Sequence, residues 1–208
     1  MVDNKKQVKE IKDYAKRLNI PILEDASLKY ILNYIKENNI LEILEVGSAI
    51  GYSSINMALV NENIHITTIE KDQNRYLKAL ENIKKTNLEK RINLVFNDAL
   101  EVKTMDKYDL IFIDAAKSKN KEIFKHFEKS LKENGTIITD NLKFHGCVDQ
   151  DLEKIESRNV RGLVRKIRDY IDFLKTNEYY DTTFLDIGDG LSVTKRKIDN
   201  ESSSKTKY

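Results

Sequence analysis

Five apolar stretches, each ending in or beside an acid, alternate with amphipathic segments, and this alternation limits the folds open to the chain. The stretches are ILEILEV (40–46), IHITTIE (64–70), RINLVF (91–96), YDLIFID (108–114) and GTIITD (135–140). Between them, Ser53–Asn61 and residues 73–87 read as helices, and a further helix runs through Phe124, Phe127 and Leu131. Such β-α alternation implies a doubly wound α/β architecture with a parallel sheet. Two helices precede it. Val8, Ile11, Ala15 and Leu18 mark residues 4–19, with Pro21 as the stop; Leu28, Ile31, Leu32 and Ile35 mark the second, capped by Asp25 or Ser27. After GTIITD come a loop of about twenty residues and a helix from about 159 to 176. The end differs: YYDTTFLDI, the turn Gly188-Asp189-Gly190 and LSVTKRK form a hairpin. The sum is a mixed seven-stranded sheet with a C-terminal antiparallel hairpin. No linker or repeat interrupts residues 1–197, which read as one domain, and the polar residues 198–208 as a disordered tail.

Composition removes several function classes. No apolar run approaches the ~20 residues of a membrane span, so no membrane partner is expected. The charged N-terminus MVDNKKQVKEIKDY is not a secretory signal. A single cysteine, Cys147, excludes an internal disulfide and a cysteine-built metal site, and points to the cytoplasm. Net charge is only +2, so any basic site is local.

The turn after the first strand, LEILEVGSAIGYSS, places Gly47 and Gly51 between a strand and a helix. A dinucleotide site would want G-x-G-x-x-G, but Ala49 stands at the middle position. Glu45, two residues before Gly47, would repel a pyrophosphate and suit a cationic ligand without phosphate. S-adenosylmethionine (SAM) is such a ligand. Glu70 ends the second strand, where an acid typically takes ribose hydroxyls. Asn97-Asp98-Ala99 ends the third, where polar groups suit adenine. The alternative for each acid is helix capping.

Asp114 ends the fourth strand, and Asp140-Asn141 ends the fifth. In an open parallel sheet these ends converge on one crevice. Two carboxylates and an amide are hard oxygen donors suited to Mg²⁺ or another divalent cation. The alternative is a helix cap at Asp114 and a turn at Asp140-Asn141.

LEVGSAIGYSS, ITTIE, YDLIFIDAAK, TDNLKFHG and IGDGLSVTKRK, in this order, resemble the cation-dependent O-methyltransferases of the catechol and caffeoyl-CoA type, over roughly residues 20–197. The resemblance implies a Rossmann-like class I SAM-dependent methyltransferase fold and a homodimer, with the N-terminal helices as a candidate interface. It implies Asp114, Asp140 and Asn141 as metal ligands and Lys117 as the base, with Asp114 also catalytic. By itself Lys117 is one solvated lysine among many. The same resemblance puts Glu70, Asp98 and Ala99 around SAM, Ser53 at its methionine end, and Leu23 over it; Glu45, Gly47 and Asp114 are expected to join them from the ends of their strands. Transfer from a sulfonium to oxygen needs an oxyanion nucleophile, which a cation chelated by two adjacent substrate oxygens favours.

Half of the chain's eight arginines fall in ESRNVRGLVRKIRDYIDFL. Arg158, Arg161, Arg165 and Arg168 lie within roughly 80° on a helical wheel, opposite the apolar face, and Lys166 adds charge. In a chain that otherwise chooses lysine, this stripe reads as planar phosphate recognition; the alternative is a solvated helix face. Gly162 weakens the helix locally, so the first arginines fit an entry loop. The stripe also resembles the bacterial branch that methylates 5-hydroxyuridine at the wobble position, which makes a tRNA anticodon loop the expected partner. A small vicinal-oxygen phenolic is the alternative acceptor. His145 reads as a plain loop histidine, with a place lining the pocket close to Asn141 as the alternative, and His65 and His126 receive no role.

Overall fold

A computed structural model describes residues 3–197; the tail expected at 198–208 lies outside the described residues. The strands are β1 (Glu42–Val46), β2 (His65–Glu70), β3 (Ile92–Phe96), β4 (Tyr108–Ile113), β5 (Leu131–Thr139), β6 (Tyr180–Leu185) and β7 (Leu191–Arg196). The helices are α1 (Asn4–Arg17), α2 (Asp25–Glu37), α3 (Tyr52–Ala58), α4 (Gln73–Lys85), α5 (Asn120–Phe127) and α6 (Arg158–Lys175). The sheet order is β3-β2-β1-β4-β5-β7-β6. Strands β1 to β5 pair in parallel, and β7 is antiparallel to both β5 and β6. This is the doubly wound mixed sheet expected.

Both faces of the sheet are covered, so the central strands are continuous apolar runs. In β4, Leu110 and Phe112 pack with α1, α2 and α3, while Ile111 and Ile113 pack with α5 and α6. Strand order reverses between β1 and β4, which opens a crevice at their carboxyl ends. No helix among the described residues is long and apolar enough to cross a membrane.

Helix ends differ from the sequence expectation in three places. α1 stops at Arg17, and the stop is Asn19 in the left-handed region (φ 52°), not Pro21. Ile20 N–H then donates to Ala15 carbonyl at 2.9 Å, closing a Schellman motif. Asn39 and Asn87 end α2 and α4 in the same way. Asparagine here takes the place glycine usually fills, because its short polar side chain tolerates this conformation. Neither Asp25 nor Ser27 caps α2; Glu24 stands at the cap, Asp25 pairs with Lys12 at 2.7 Å, and Ser27 turns inward. Ser157 caps α6 by accepting from Val160 N–H, so the helix includes all four arginines and no entry loop holds them.

Candidate active site

A cavity of about 420 Å³ opens at the carboxyl ends of β1 to β5, within the usual range for small-molecule sites. The turn after β1 forms its floor. Gly47 has φ +103°, and a Cβ there would overlap the carbonyl of Asp114, so only glycine lets the two strand ends meet. Ala49 also adopts positive φ (44°), held by its N–H donating to Glu70 Oε2 at 2.8 Å. Glu70 Oε1 accepts from Lys71 N–H at 2.9 Å and Asp72 N–H at 2.8 Å. Three backbone donors thus fix this carboxylate on the cavity wall, and Oε2 keeps acceptor capacity for a ligand hydroxyl. Ser48 Oγ, buried on the same wall, has no partner among the described residues and offers a donor to a ligand.

Asp98 and Ala99 line the far end, as do Leu23 and Ser53 elsewhere on the wall. Asp98 caps a short turn at Ala99–Glu101; the N–H of Leu100, then the nearby Lys71 ammonium, hold its carboxyl below the usual range.

Glu45 is a correction. Sequence pattern places it against the ligand; the structure places it behind the wall, fully buried. The strand alternation points its side chain under the sheet's neighbour, where Ser53 Oγ and Thr68 Oγ1 donate to it, the latter at 2.6 Å. Burial pushes its carboxyl up to about 7, opposed by those hydroxyls. It reaches a ligand only through Ser53.

At the other end, Asp114, Asp140 and Asn141 converge. Asn141 Nδ2 donates to Asp114 Oδ1 at 2.9 Å and to Asp140 Oδ2 at 3.1 Å. Burial, then the charge of Glu45, raises Asp114 to about 6; burial, then Asp114, raises Asp140 to about 7. Two buried carboxylates whose ionisation is opposed, Asp114 by Glu45 and Asp140 by Asp114, are an environment a cation relieves. A half-turn of the carboxamide presents Asn141 Oδ1 to the same point, completing a hard oxygen set that fits Mg²⁺. Among the described residues no group of three or more His, Cys, Asp or Glu gathers; the meeting of two carboxylates with one amide makes this corner the candidate metal centre. Lys117 opens the short turn Lys117–Lys119 and lines the cavity, where its ammonium favours ionisation of both aspartates.

His145 also lines this cavity, which is the alternative to a plain loop histidine. Closeness to Asn141 is its one sequence signal, and a backbone excursion sets its position. Asn141, Phe144, His145 and Gly146 all have positive φ, at 66°, 46°, 53° and 78°. For residues with a Cβ this costs about 1–2 kcal/mol each, and such strain concentrates at functional sites. His126 is structural, its Nε2 2.7 Å from the Val102 carbonyl, and His65 is exposed at the opposite end of β2.

A family model described as O-methyltransferase matches residues 3–197. The chain belongs to the O-methyltransferase family. Among solved structures, a Staphylococcus aureus protein provisionally assigned as a caffeoyl-CoA O-methyltransferase is 37% identical, with a TM-score of 0.87 over 91% of this chain and 92% of that one. The O-methyltransferase from Bacillus cereus, in complex with SAH, shares the fold at 23% identity and a TM-score of 0.79, covering 92% of this chain and 91% of that one. A caffeoyl-CoA O-methyltransferase from Populus kitakamiensis is 28% identical over 187 residues, 86% of this chain and 78% of the relative.

In this O-methyltransferase chain, α6 begins above the cavity face. Tyr170 OH bonds Thr139 Oγ1 at 2.8 Å near the top of β5. Arg158 lies twelve residues earlier, about 18 Å along the axis at 1.5 Å per residue. The arginine stripe is split. Arg161 donates to the carbonyls of Ile155 and Glu156, and Arg168 to those of Val148 and Gln150. These two tie the segment 148–156 to the helix. Arg158, Arg165 and Lys166 remain exposed. A helical wheel shows where side chains point, not which loop carbonyls come to meet them.

Proposed function

We propose that this chain transfers the methyl group of SAM to the 5-hydroxyl of 5-hydroxyuridine at the tRNA wobble position, with Mg²⁺ or a similar cation held by Asp114, Asp140 and Asn141. The observation that carries the reading is the convergence of these three side chains at one end of a cavity whose other end presents Glu70 and Asp98. The fold relative from Bacillus cereus was captured with SAH, and TomG from Streptomyces achromogenes with SAM.

When bound, the cation lowers the pKa of the acceptor hydroxyl and fixes its direction. Glu70 accepts the ribose hydroxyls, and the Asn97–Leu100 segment walls the adenine. Ser53, braced by Glu45, faces the methionine end. Lys117, which lines the cavity beside the aspartates, is the residue placed to take the acceptor's proton. The oxygen then attacks the methyl carbon, the carbon–sulfur bond breaks, and its electron pair returns to sulfur. The 5-hydroxyl and the C4 carbonyl of the base are adjacent oxygens, as chelation requires. Arg158, Arg165 and Lys166 supply phosphate contacts above the site, and a single-stranded anticodon loop can present the base splayed out. Assembly as a homodimer belongs to the same reading.

A second reading, a small phenolic with vicinal oxygens, is favoured by the relatives' names, which include caffeoyl-CoA and flavonoid methyltransferases, and by the two arginines committed to a loop. Nucleoside mass spectrometry of tRNA from a deletion strain separates the two. Loss of 5-methoxyuridine with accumulation of 5-hydroxyuridine is expected; an unchanged modification profile overturns the tRNA reading.

A further inference from the structure

The hairpin between β6 and β7 reaches back over the metal corner, and nothing in the reaction so far uses it. Its tip is Asp186–Gly190. Asp189 is buried there, with Oδ1 accepting from His145 N–H at 2.5 Å and Oδ2 without a partner among the described residues. Its own carbonyl accepts from Lys143 N–H at 2.7 Å, and the Gly190 carbonyl accepts from Leu142 N–H at 3.0 Å. Lys143 Nζ pairs with Asp186. The tip also touches α2: a Cβ on Gly188 would overlap Ser27 Oγ, and that hydroxyl donates to Asp140 Oδ1 at 3.4 Å. A Cβ on Gly190 would come within 2.8 Å of Lys143. The segment it grips, residues 141–146, is the one in which Asn141, Phe144, His145 and Gly146 hold positive φ.

Left alone, side chains with a Cβ leave that region. An outside partner must therefore hold the loop, and the hairpin tip bonds Leu142, Lys143 and His145 in turn. A buried carboxylate oxygen without a partner is costly, so general stability does not account for this residue. We infer that Asp189 is a positioning residue: by holding His145 N–H it keeps the 141–146 loop coiled, and so keeps the Asn141 side chain aimed at Asp114 and Asp140. This deepens the divalent-cation reading proposed above and rests on it.

Three variants test it, Asp189→Ala, Asp189→Asn and Gly190→Ala, with Mn²⁺ as the probe. By titration calorimetry, Asp189→Ala weakens Mn²⁺ binding at least tenfold while SAM affinity stays within twofold. Asp189→Asn restores Mn²⁺ affinity to within threefold of wild type, because a carboxamide oxygen accepts from the same N–H. Gly190→Ala, which pushes Lys143 instead, weakens Mn²⁺ without touching the Asp189 side chain. Hydrogen exchange on the metal-free protein reads the loop directly: in Asp189→Ala the segment 141–147 exchanges at least tenfold faster, and the Gly47–Gly51 turn does not change. If wild type binds no Mn²⁺, the cation reading fails, and the exchange arm still decides whether Asp189 holds the loop. Unchanged exchange in Asp189→Ala, or an Asp189→Asn variant as weak in Mn²⁺ binding as the alanine, overturns the inference. If Asp189→Ala does not fold, Gly190→Ala with unaltered Mn²⁺ affinity overturns it as well.

Discussion

Glu45→Gln should stabilise this protein, and by an amount that depends on pH. The Glu45 carboxyl rises from 4.5 to about 7 on folding because it is taken out of water. Its folded value lies above its unfolded value, so the folded chain binds the proton more tightly. Stability therefore falls as pH rises through this window, is undiminished below about 4.5, and carries the full penalty above about 7. At about 1.4 kcal/mol per decade, that penalty is about 3 kcal/mol. Glutamine keeps the shape. Ser53 and Thr68 both donate to the carboxylate now, and one hydroxyl can rotate to accept from the new amide while the other goes on donating. At pH 8 the variant should melt about 6–12 °C higher, using 2–4 °C per kcal/mol for a chain of this size. At pH 4.5 the difference should shrink to near zero. Asp140 and Asp114 titrate in the same direction, and because the charge of Glu45 also raises Asp114, the difference between melting curves reads Glu45 together with its effect on Asp114. SAM affinity should stay within threefold, because Glu45 does not reach the cavity. A melting difference equal at both pH values refutes the buried-charge argument, and a tenfold loss of SAM affinity refutes the placement behind the wall.

Glu70→Ala should weaken SAM at least tenfold by calorimetry, since bonds to a charged group contribute about 1.5–3 kcal/mol each. Methyl transfer should stop in EDTA and return with Mg²⁺, and Asp140→Ala should be inactive at any Mg²⁺ concentration; full activity in chelator would rule out the metal corner. Arg165→Ala should lower tRNA affinity and flatten its salt dependence by about one phosphate contact, with no change in melting temperature. Arg161→Ala should instead lower the melting temperature, because it frees the carbonyls of Ile155 and Glu156. Identical behaviour of the two variants would erase the distinction between free and committed arginines.

The strands were legible because burial on both faces writes unbroken apolar runs such as YDLIFI, and the strand-end acids were legible because an open sheet gathers its carboxyl ends. Asp114, Asp140 and Asn141 meet as their positions imply. What stayed hidden depends on partners distant in the chain. Glu45 is drawn behind the wall by Thr68, 23 residues away, and Arg168 is claimed by carbonyls 18 and 20 residues away. His145 reaches the cavity through backbone angles that its side chain does not favour, enforced by Asp189, 44 residues later. Local pattern carries periodicity and caps; it does not carry which loop will fold over which helix.

Gly47 gives the molecule a particular way to change. Because the donor turn rests directly on the Asp114 carbonyl, the spacing between the two substrates is set by main chain against main chain. Side-chain drift in the roof of the site, along 141–157 and the start of α6, can refit the acceptor without altering how far a methyl group must travel. New acceptors are then open to this scaffold through changes in its loops alone, with the reaction geometry inherited intact.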